Sequence, residues 1–299
     1  MAKKEPKSLN GRVVAITGGA RGIGKATATA LVRRGAKVAI GDLDLQLAKA
    51  TAAELGENVR AYQLDVTKRT SMVAFLDAAE KDLGPLDVMI NNAGIMPVTP
   101  FTDESDDSAA RQIDINVHGV IFGTKEAMLR MRPRRTGHIV NIASMAGKAG
   151  IPHLATYCAT KHAVIGLSEA VRGELRDTGV EVTCVRPAVV NTVLTSGIDE
   201  TGGVKKIEPE DVASAIVDAL KLPRFDVAVP KSAGRIDATV RLLPRSAREA
   251  IGRALKVDQI MVTADRSRRA EYEARAARSE PSASVAPIAE PEREPEKVA

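Results

Sequence analysis

Short apolar runs alternate regularly with longer stretches of helical periodicity, and this alternation restricts the fold more than any other feature of the chain. The runs are rich in β-branched residues, which is typical of buried strands, and the longer stretches repeat apolar residues at helical spacing. The predicted strands cover residues 13–17, 38–40, 59–64, 86–90, 138–142 and 180–185. The predicted helices cover residues 21–33, 45–55, 71–83, 107–131 and 154–176.

Strict alternation of strand and helix predicts a parallel sheet with helices on both faces. The strands of such a sheet are buried on both sides, which explains why these runs are continuously apolar. The predicted fold class is therefore α/β, a doubly wound parallel sheet of the Rossmann type. We expect a single domain of this kind with a helical C-terminal extension.

The composition changes towards the C-terminus. Residues 231–278 contain more Lys and Arg than Asp and Glu, and Ile236, Val240 and Leu243 follow one another at helical spacing. From Glu280 onwards Pro, Glu, Ala and Ser dominate, which is typical of a disordered acidic tail. The predicted organisation is an N-terminal arm (1–9), a Rossmann-fold catalytic and dinucleotide-binding domain (10–230), a basic helical C-terminal extension (231–279) and a disordered acidic tail (280–299).

The basic extension has three interpretations. The favoured one is that its apolar stripe packs on the core or on a neighbouring subunit, with the cations in solvent. The second is peripheral contact with an anionic membrane surface. Nucleic-acid binding is disfavoured, because the charges are mixed and Tyr272 is the only aromatic residue of the extension.

The chain shows no sequence signal for secretion or for crossing a membrane. Its first residues lack the apolar segment of a signal peptide, and no apolar run reaches the roughly 18 residues of a membrane-spanning helix. The 2 cysteines cannot form a disulfide scaffold and suggest a reducing compartment. The expectation is a soluble, cytoplasmic protein.

A glycine-rich segment, residues 17–24, joins the first predicted strand to the first predicted helix. Gly18, Gly22 and Gly24 allow a sharp turn and a close approach to a pyrophosphate, and the helix N-terminus supplies N–H donors. Their spacing differs from the G-x-G-x-x-G fingerprint of dinucleotide-binding proteins. Taken alone, the segment therefore leaves cofactor binding and an ordinary tight turn as equal alternatives.

Asp42 lies 18 residues after Gly24, at the end of the second predicted strand. An acidic side chain there can accept hydrogen bonds from a ribose and repels a 2′-phosphate, so it favours NAD over NADP. Arg21 favours the opposite choice, because it can pair with a phosphate, and Leu43 adds no second cation. The alternative interpretation is that Asp42 is a solvated loop residue. We expect NAD, with NADP as the lesser possibility.

Tyr157 and Lys161 are four residues apart on a predicted helix and therefore share one face. A nearby ammonium favours the phenolate, which makes Tyr157 a candidate general acid and base. Ser144 follows a predicted strand, where its hydroxyl can hold a substrate oxygen, and Asn116 can orient a water or a backbone group. By itself, a Tyr and a Lys at this spacing are most often a surface pair.

Taken together, these residues resemble the short-chain dehydrogenase/reductase family of NAD(P)-dependent oxidoreductases over about residues 10–229. Several motifs occur in the family's order. They are the glycine segment, Asp65-Val66, Asn92-Ala93-Gly94, Asn116, Ser144, Tyr157-Cys158-Ala159-Thr160-Lys161 and Pro187-Ala188-Val189-Val190-Asn191-Thr192. One position departs from the family, which commonly has Gly where this chain has Ala188. That change puts the cofactor geometry in doubt but removes no reactive group.

The resemblance implies a role for each catalytic residue. Tyr157 exchanges the substrate proton and Ser144 binds the substrate oxygen. Lys161 lowers the tyrosine pKa and holds the nicotinamide ribose, and Asn116 supports a water-based proton relay. The implied cofactor-binding residues are Gly18, Arg21, Gly22, Ile23, Gly24, Asp42, Asp65, Val66, Asn92, Ala93, Gly94, Tyr157, Lys161, Pro187, Val190 and Thr192.

The expected function is transfer of a hydride between NAD(H) and a secondary alcohol or ketone, with no metal and no nucleic-acid partner. Apolar positions that family analogy assigns to the substrate favour a lipophilic compound: Met96, Met145, Leu154, Val189, Val193 and Leu194. One alternative is an NADP-dependent carbonyl reductase, and another is a dinucleotide-sensing or scaffold protein. The resemblance also implies a homodimer or homotetramer packed through the helices that contain Asn116 and Tyr157.

Overall fold

A sheet of parallel strands organises the residues that the computed structural model describes, namely 5–200, 205–240, 242–254 and 259–278. Within these residues the sheet has 7 strands in the order β3-β2-β1-β4-β5-β6-β7. In chain order they are β1 (Val13–Thr17), β2 (Lys37–Asp42), β3 (Val59–Gln63), β4 (Val88–Asn91), β5 (Gly137–Ile142), β6 (Val180–Pro187) and β7 (Asp226–Val229).

Helices connect the strands and continue beyond the last of them. They are α1 (Gly22–Val32), α2 (Leu45–Leu55), α3 (Arg69–Leu83), α4 (Asp106–Ile113), α5 (Gly119–Met131), α6 (Ala155–Glu174), α7 (Pro209–Lys221), α8 (Lys231–Val240), α9 (Arg245–Ala254) and α10 (Arg266–Arg278).

Both faces of the sheet are covered, because successive side chains of a strand point to opposite faces. In β1, Val14 and Ile16 pack in one apolar core with α1, α2 and α7. Val13 and Ala15 pack in a second core with α3, α5 and α6. All 5 residues of β1 are buried. The predicted doubly wound sheet is confirmed, and its central strand is buried on both sides, whereas the edge strands β3 and β7 are partly exposed.

The strand order reverses at β1, which pairs with β2 on one side and with β4 on the other. At such a switch point the loops that follow neighbouring strands turn away from each other and leave a crevice outside the carboxyl ends. The glycine segment follows β1, and Asn92-Ala93-Gly94 follows β4. The topology therefore brings distant sequence motifs to one edge of the sheet.

The helical segment predicted over residues 107–131 is present, but it contains one irregular turn. A π-helical turn, Asp114–His118, separates α4 from α5. Such a turn inserts one residue into a helix and changes the direction of the side chains that follow. It places Asn116 in the interior, where the residue is fully buried. The extra residue leaves no periodic signal in the sequence.

Two elements, α7 and β7, are absent from the sequence prediction, although α7 has a recognisable start. Pro209 occupies the first turn, and Glu208 and Asp211 form a capping box at its N-terminus. The predicted tail, 280–299, and residues 1–4 of the predicted arm lie outside the described residues, and the predicted domain boundaries stay predictions. None of the described helices is both long and apolar enough to cross a membrane.

Candidate active site

A cavity of 1840 Å³ opens at the carboxyl ends of the central strands. Its walls bring together residues from most of the motifs singled out in the sequence. Lining residues among them are Gly18, Arg21, Gly22, Ile23, Asp42, Asp65, Val66, Asn92, Ala93, Gly94, Ser144, Tyr157, Lys161, Pro187, Val190 and Thr192. Gly24 and Asn116 do not line the cavity and lie behind its walls.

The turn after β1 adopts a conformation that requires glycine. Gly18 and Gly22 have φ angles of 63° and 52°, in the left-handed region that side chains disfavour. A Cβ atom at Gly18 would come within 2.9 Å of the Ala93 Cα atom. The backbone of this turn therefore lines the cavity directly, as close approach of a pyrophosphate requires.

The N-terminus of α1 points a positive dipole end at this part of the cavity. Arg21 is the N-cap residue, no side chain caps the helix, and its first turn contains no acidic residue. The first N–H groups of the helix are therefore available to an anionic ligand. The Arg21 guanidinium lies 3.2 Å from an Asp44 carboxylate oxygen, in an exposed ion pair.

Asp42 ends β2 and stabilises the loops on either side of the cavity. One of its carboxylate oxygens accepts a hydrogen bond of 3.1 Å from the Ala20 amide, and the other accepts one of 3.1 Å from the Asp44 amide. The carboxylate is thus held in a fixed position at the cavity wall. Asp42 itself lines the cavity.

Two further motifs are anchored by side-chain hydrogen bonds. Asp65 accepts from the amide and the hydroxyl of Thr67, at 3.0 and 2.6 Å, which shapes the turn that presents Val66. The Asn92 side-chain amide donates to the Thr17 and Gly18 carbonyls, at 3.0 and 2.9 Å. The loops after β1 and β4 are therefore joined beside the cavity.

Tyr157 lies near the start of α6 and is 8% exposed. It lines the cavity together with Ser144, which lies just after β5 and whose hydroxyl oxygen accepts from the Ala146 amide at 3.1 Å. Burial raises the pKa of Tyr157 to about 12, although the nearby Ser144 hydroxyl acts in the opposite direction. The phenol, rather than the phenolate, is therefore the dominant form at neutral pH.

Lys161 lies one helical turn after Tyr157 and is 4% exposed. Its Nζ atom is 5.6 Å from the centre of the Tyr157 ring and donates to the Ile142 carbonyl at 3.0 Å. Burial lowers the pKa of Lys161 to about 8. The family resemblance implies a lowered tyrosine pKa, whereas in the structure desolvation dominates and raises it.

Asn116 contacts the backbone of the loop that follows β4. Its Oδ1 atom accepts from the Ile95 amide and its Nδ2 atom donates to the Ile95 carbonyl, both at 2.9 Å. Nδ2 also lies 3.2 Å from the Thr160 hydroxyl oxygen, on the helix that carries Tyr157 and Lys161. The side chain thus orients a backbone segment and links it to α6.

The loop after β6 completes this side of the cavity. Ala188 donates its amide to the Val229 carbonyl at 2.8 Å. It is not among the residues with positive φ, so its side chain fits the backbone without strain. Thr192 forms a capping box with Thr195 and packs beside Gly22 across the cavity. The Ala188 side chain, where the family commonly has Gly, is therefore accommodated without backbone strain.

The sequence analysis missed one part of the site, the C-terminal helix α10. Arg269 is 1% exposed and donates to the carbonyls of Met96, Leu194 and Ser196 at 2.9, 3.1 and 2.9 Å. Met96 follows β4, and the other two residues follow β6. One guanidinium therefore joins the two loops on opposite sides of the cavity.

Two neighbours of Arg269 strengthen this attachment, which we call the α10 clasp (Arg269, Tyr272 and Glu273). The Tyr272 hydroxyl accepts from the Met96 amide at 2.7 Å, and Glu273 accepts from Arg269 Nε at 2.9 Å. The three residues follow helical spacing, which was the one sequence feature that could have indicated a shared face on α10. An arginine in a basic segment, however, is usually solvated, so its burial is not evident from sequence.

Fold and site together define a Rossmann-type oxidoreductase that acts with a nicotinamide cofactor. The glycine turn, the uncapped start of α1 and the fixed Asp42 carboxylate fit the pyrophosphate and ribose of a dinucleotide. Tyr157, Ser144 and Lys161 lie further along the same cavity. The residues that fit a dinucleotide and the residues that can transfer a proton therefore line one cavity.

Comparison with known sequences agrees with this class. The sequence model described as short chain dehydrogenase matches residues 12–202. An uncharacterized oxidoreductase of Staphylococcus aureus (strain MRSA252) is 35% identical over 217 residues, which cover 72% of this chain and 94% of the relative. A 3-alpha-(or 20-beta)-hydroxysteroid dehydrogenase of Mycobacterium tuberculosis is 36% identical over 213 residues, which cover 70% and 82%. The chain belongs to the short-chain dehydrogenase family.

Solved structures show the same architecture. A short chain dehydrogenase/reductase from Burkholderia phymatum in complex with NAD has a TM-score of 0.73 and 26% identity, covering 79% of this chain and 95% of that one. The 3-ketoacyl-(acyl-carrier-protein) reductase from Brucella melitensis complexed with NADH has a TM-score of 0.68 and 28% identity, covering 75% and 100%. The matched family region ends before α7, so the α10 clasp lies outside it.

Proposed function

We propose that the protein transfers a hydride between NAD(H) and a secondary alcohol or ketone of lipophilic character, with Tyr157 as general acid and base. The observation that carries this proposal is the burial of Tyr157 one helical turn before Lys161, whose Nζ atom lies 5.6 Å from the centre of the Tyr157 ring, in the cavity that Ser144 and the glycine turn also line. Nicotinamide, when bound, supplies or accepts the hydride. The remaining chemistry, which is the movement of one proton, falls to the residues of the chain.

Tyr157 is suited to deliver that proton in the direction of reduction. Burial favours the protonated hydroxyl at neutral pH, and the Ser144 hydroxyl lines the same cavity. A substrate oxygen placed between the two hydroxyls would receive a hydrogen bond from each, and these bonds strengthen as negative charge develops on it. The Lys161 ammonium stabilises the phenolate that remains. In oxidation the same proton moves from the alcohol to the Tyr157 oxygen.

The pH dependence of the two directions should differ. Reduction requires the phenol, whose pKa is about 12, so its kcat/KM should be insensitive to the ionisation of Tyr157 near neutrality. Oxidation requires the phenolate, so its kcat/KM should rise by about tenfold per pH unit from about pH 6. The rise should flatten above the Lys161 pKa of about 8, because loss of the ammonium withdraws its support.

Initial rates in both directions between about pH 6 and pH 10 test this expectation. A plateau of the oxidative kcat/KM already at neutral pH would contradict the raised tyrosine pKa. A parallel rise of the reductive rate would point to a different titrating group.

The charges around Asp42 support NAD as the cofactor. The Asp42 carboxylate is fixed by two backbone amides, and Arg21 is partly neutralised by its ion pair with Asp44. A 2′-phosphate at this wall would meet two carboxylates and one cation. This balance argues against an NADP-dependent carbonyl reductase.

Replacing Asp42 by Ala should raise the KM for NAD+ by about 10- to 100-fold, the worth of hydrogen bonds to a charged group. It should also improve the use of NADP+, because the repulsion of the 2′-phosphate falls. Steady-state kinetics with both cofactors measure the ratio of kcat/KM for NAD+ to kcat/KM for NADP+. Asp82→Asn is the matched control, since Asp82 pairs with Tyr62 outside the cavity. An unchanged NAD+ to NADP+ ratio in Asp42→Ala would refute the assignment.

The substrate side of the cavity is apolar. Met96, Met145, Leu154, Val189, Val193 and Leu194 all line it. We propose a lipophilic small-molecule substrate on this basis. The complete set of Tyr157, Ser144 and Lys161 argues against the alternative of a sensor or scaffold that has lost its chemistry. A homodimer or homotetramer and a cytoplasmic location stay predictions.

A further inference from the structure

The wall of the cavity beyond Tyr157 is made by the C-terminal extension. Ile260 and Met261, just before α10, belong to the same apolar cluster as Tyr157, Leu154 and Met96. Tyr272, Arg275 and Ala276 of α10 also line the cavity. These three residues follow helical spacing, so one face of α10 is turned towards the substrate region. The α10 clasp holds that face in place.

Arg275 differs from the paired arginines of α10, because no carboxylate forms an ion pair with it among the described residues. It is one helical turn beyond Tyr272, and its side chain is half-buried in the cavity wall. Arg269 pairs with Glu273 and Arg268 pairs with Asp199, at 2.9 and 3.0 Å. A guanidinium that is partly removed from water beside apolar groups favours an anionic partner.

Another part of the cavity lining, on α9, has a surplus of positive charge. Arg245, Arg248 and Arg253 of α9 line it together with one carboxylate, that of Glu249. Glu249 is already engaged by Arg245, with an N···O distance of 2.7 Å. This part of the lining therefore attracts anions, and Arg275 is a cavity-lining cation on the firmly attached helix.

We infer that the substrate is an amphipathic anion, an apolar secondary alcohol or ketone that carries a terminal carboxylate or phosphate bound by Arg275. This inference rests on the proposed function, because the apolar part of the substrate leads to Tyr157. An arginine can hold either oxyanion through two parallel hydrogen bonds. The apolar residues that line this part of the cavity then contact the hydrocarbon part of the substrate, which joins its reactive carbon to its anionic end.

Binding measurements on the full chain test the anion site without requiring turnover. Octanoate, octyl phosphate and 1-octanol share one alkyl chain and differ only in the terminal group. Isothermal titration calorimetry should show that at least one of the two anions binds more tightly than 1-octanol. In Arg275→Met the ratio of anion affinity to 1-octanol affinity should fall by about 10- to 100-fold. The preferred anion identifies the terminal group as carboxylate or phosphate.

Two further variants separate charge from folding. Arg266→Met removes an exposed arginine from the same helix, outside the cavity wall, and should keep the ratio of the unmodified protein. Arg275→Lys keeps a cation and should retain part of the preference. Equal affinities for all three ligands, or an equal loss in Arg266→Met and Arg275→Met, would overturn the inference. Selective anion binding without turnover of any alcohol would instead support the anion site and count against the proposed function.

Discussion

Tyr157→Phe is expected to lower turnover by about 100- to 10,000-fold while NADH binding stays unchanged. The substitution removes the proton that the active site delivers and keeps the buried ring. Stopped-flow or steady-state rates at saturating cofactor measure the loss. NADH fluorescence measures binding in the same sample.

Tyr62→Phe is the matched control, because Tyr62 pairs with Asp82 at 2.9 Å and does not line the cavity. It should turn over substrate at the rate of the unmodified protein. Equal turnover by Tyr157→Phe and Tyr62→Phe would remove Tyr157 from the mechanism. A loss of NADH binding in Tyr157→Phe would mean that the residue mainly supports the cofactor.

Arg269→Met should lower the free energy of unfolding by about 3–5 kcal/mol, the usual cost of removing one partner from a buried charged network. The substitution leaves the carbonyls of Met96, Leu194 and Ser196 without their donor, and Glu273 without its cation. Chemical denaturation measures the change. The variant should also raise the substrate KM more than it lowers kcat, because both loops of the substrate cavity lose their common anchor.

Arg268→Met separates this effect from loss of charge on α10. Arg268 is exposed and pairs with Asp199 at 3.0 Å, and exposed ion pairs contribute only about 0–1 kcal/mol. Arg268→Met should therefore resemble the unmodified protein in unfolding and in KM. If Arg269→Met lowers stability but leaves KM unchanged, the α10 clasp is structural and does not position the substrate loops.

Most of the sheet could be predicted from the sequence because its central strands, such as β1, are uninterrupted apolar runs that are each followed by a helix, whereas the short edge strand β7 was missed. The gathering of Gly18, Asp42, Asn92 and Ser144 was also predictable, since each follows a strand and parallel strands end at one edge. The π-helical turn that contains Asn116 was not predicted, because the sequence pattern predicted only that this segment is helical. The raised pKa of Tyr157 depends on burial from several elements at once, which sequence spacing does not encode.

The burial of Arg269 could not be predicted from the sequence either. The charge of a side chain is visible in the sequence, whereas its partners are backbone carbonyls from two loops more than seventy residues away. Local pattern therefore indicated a solvated cation. Only the arrangement of the loops after β4 and β6 creates the pocket of acceptors that the guanidinium fills.

Because α10 forms part of the cavity wall, the residues proposed for proton transfer and part of the wall lie in different regions of the chain. The residues proposed to move the proton lie in the region that the family model matches, whereas α10, which supplies part of the cavity wall, lies beyond it. Exchange of that segment could redirect substrate choice during evolution while the inherited chemistry stays intact.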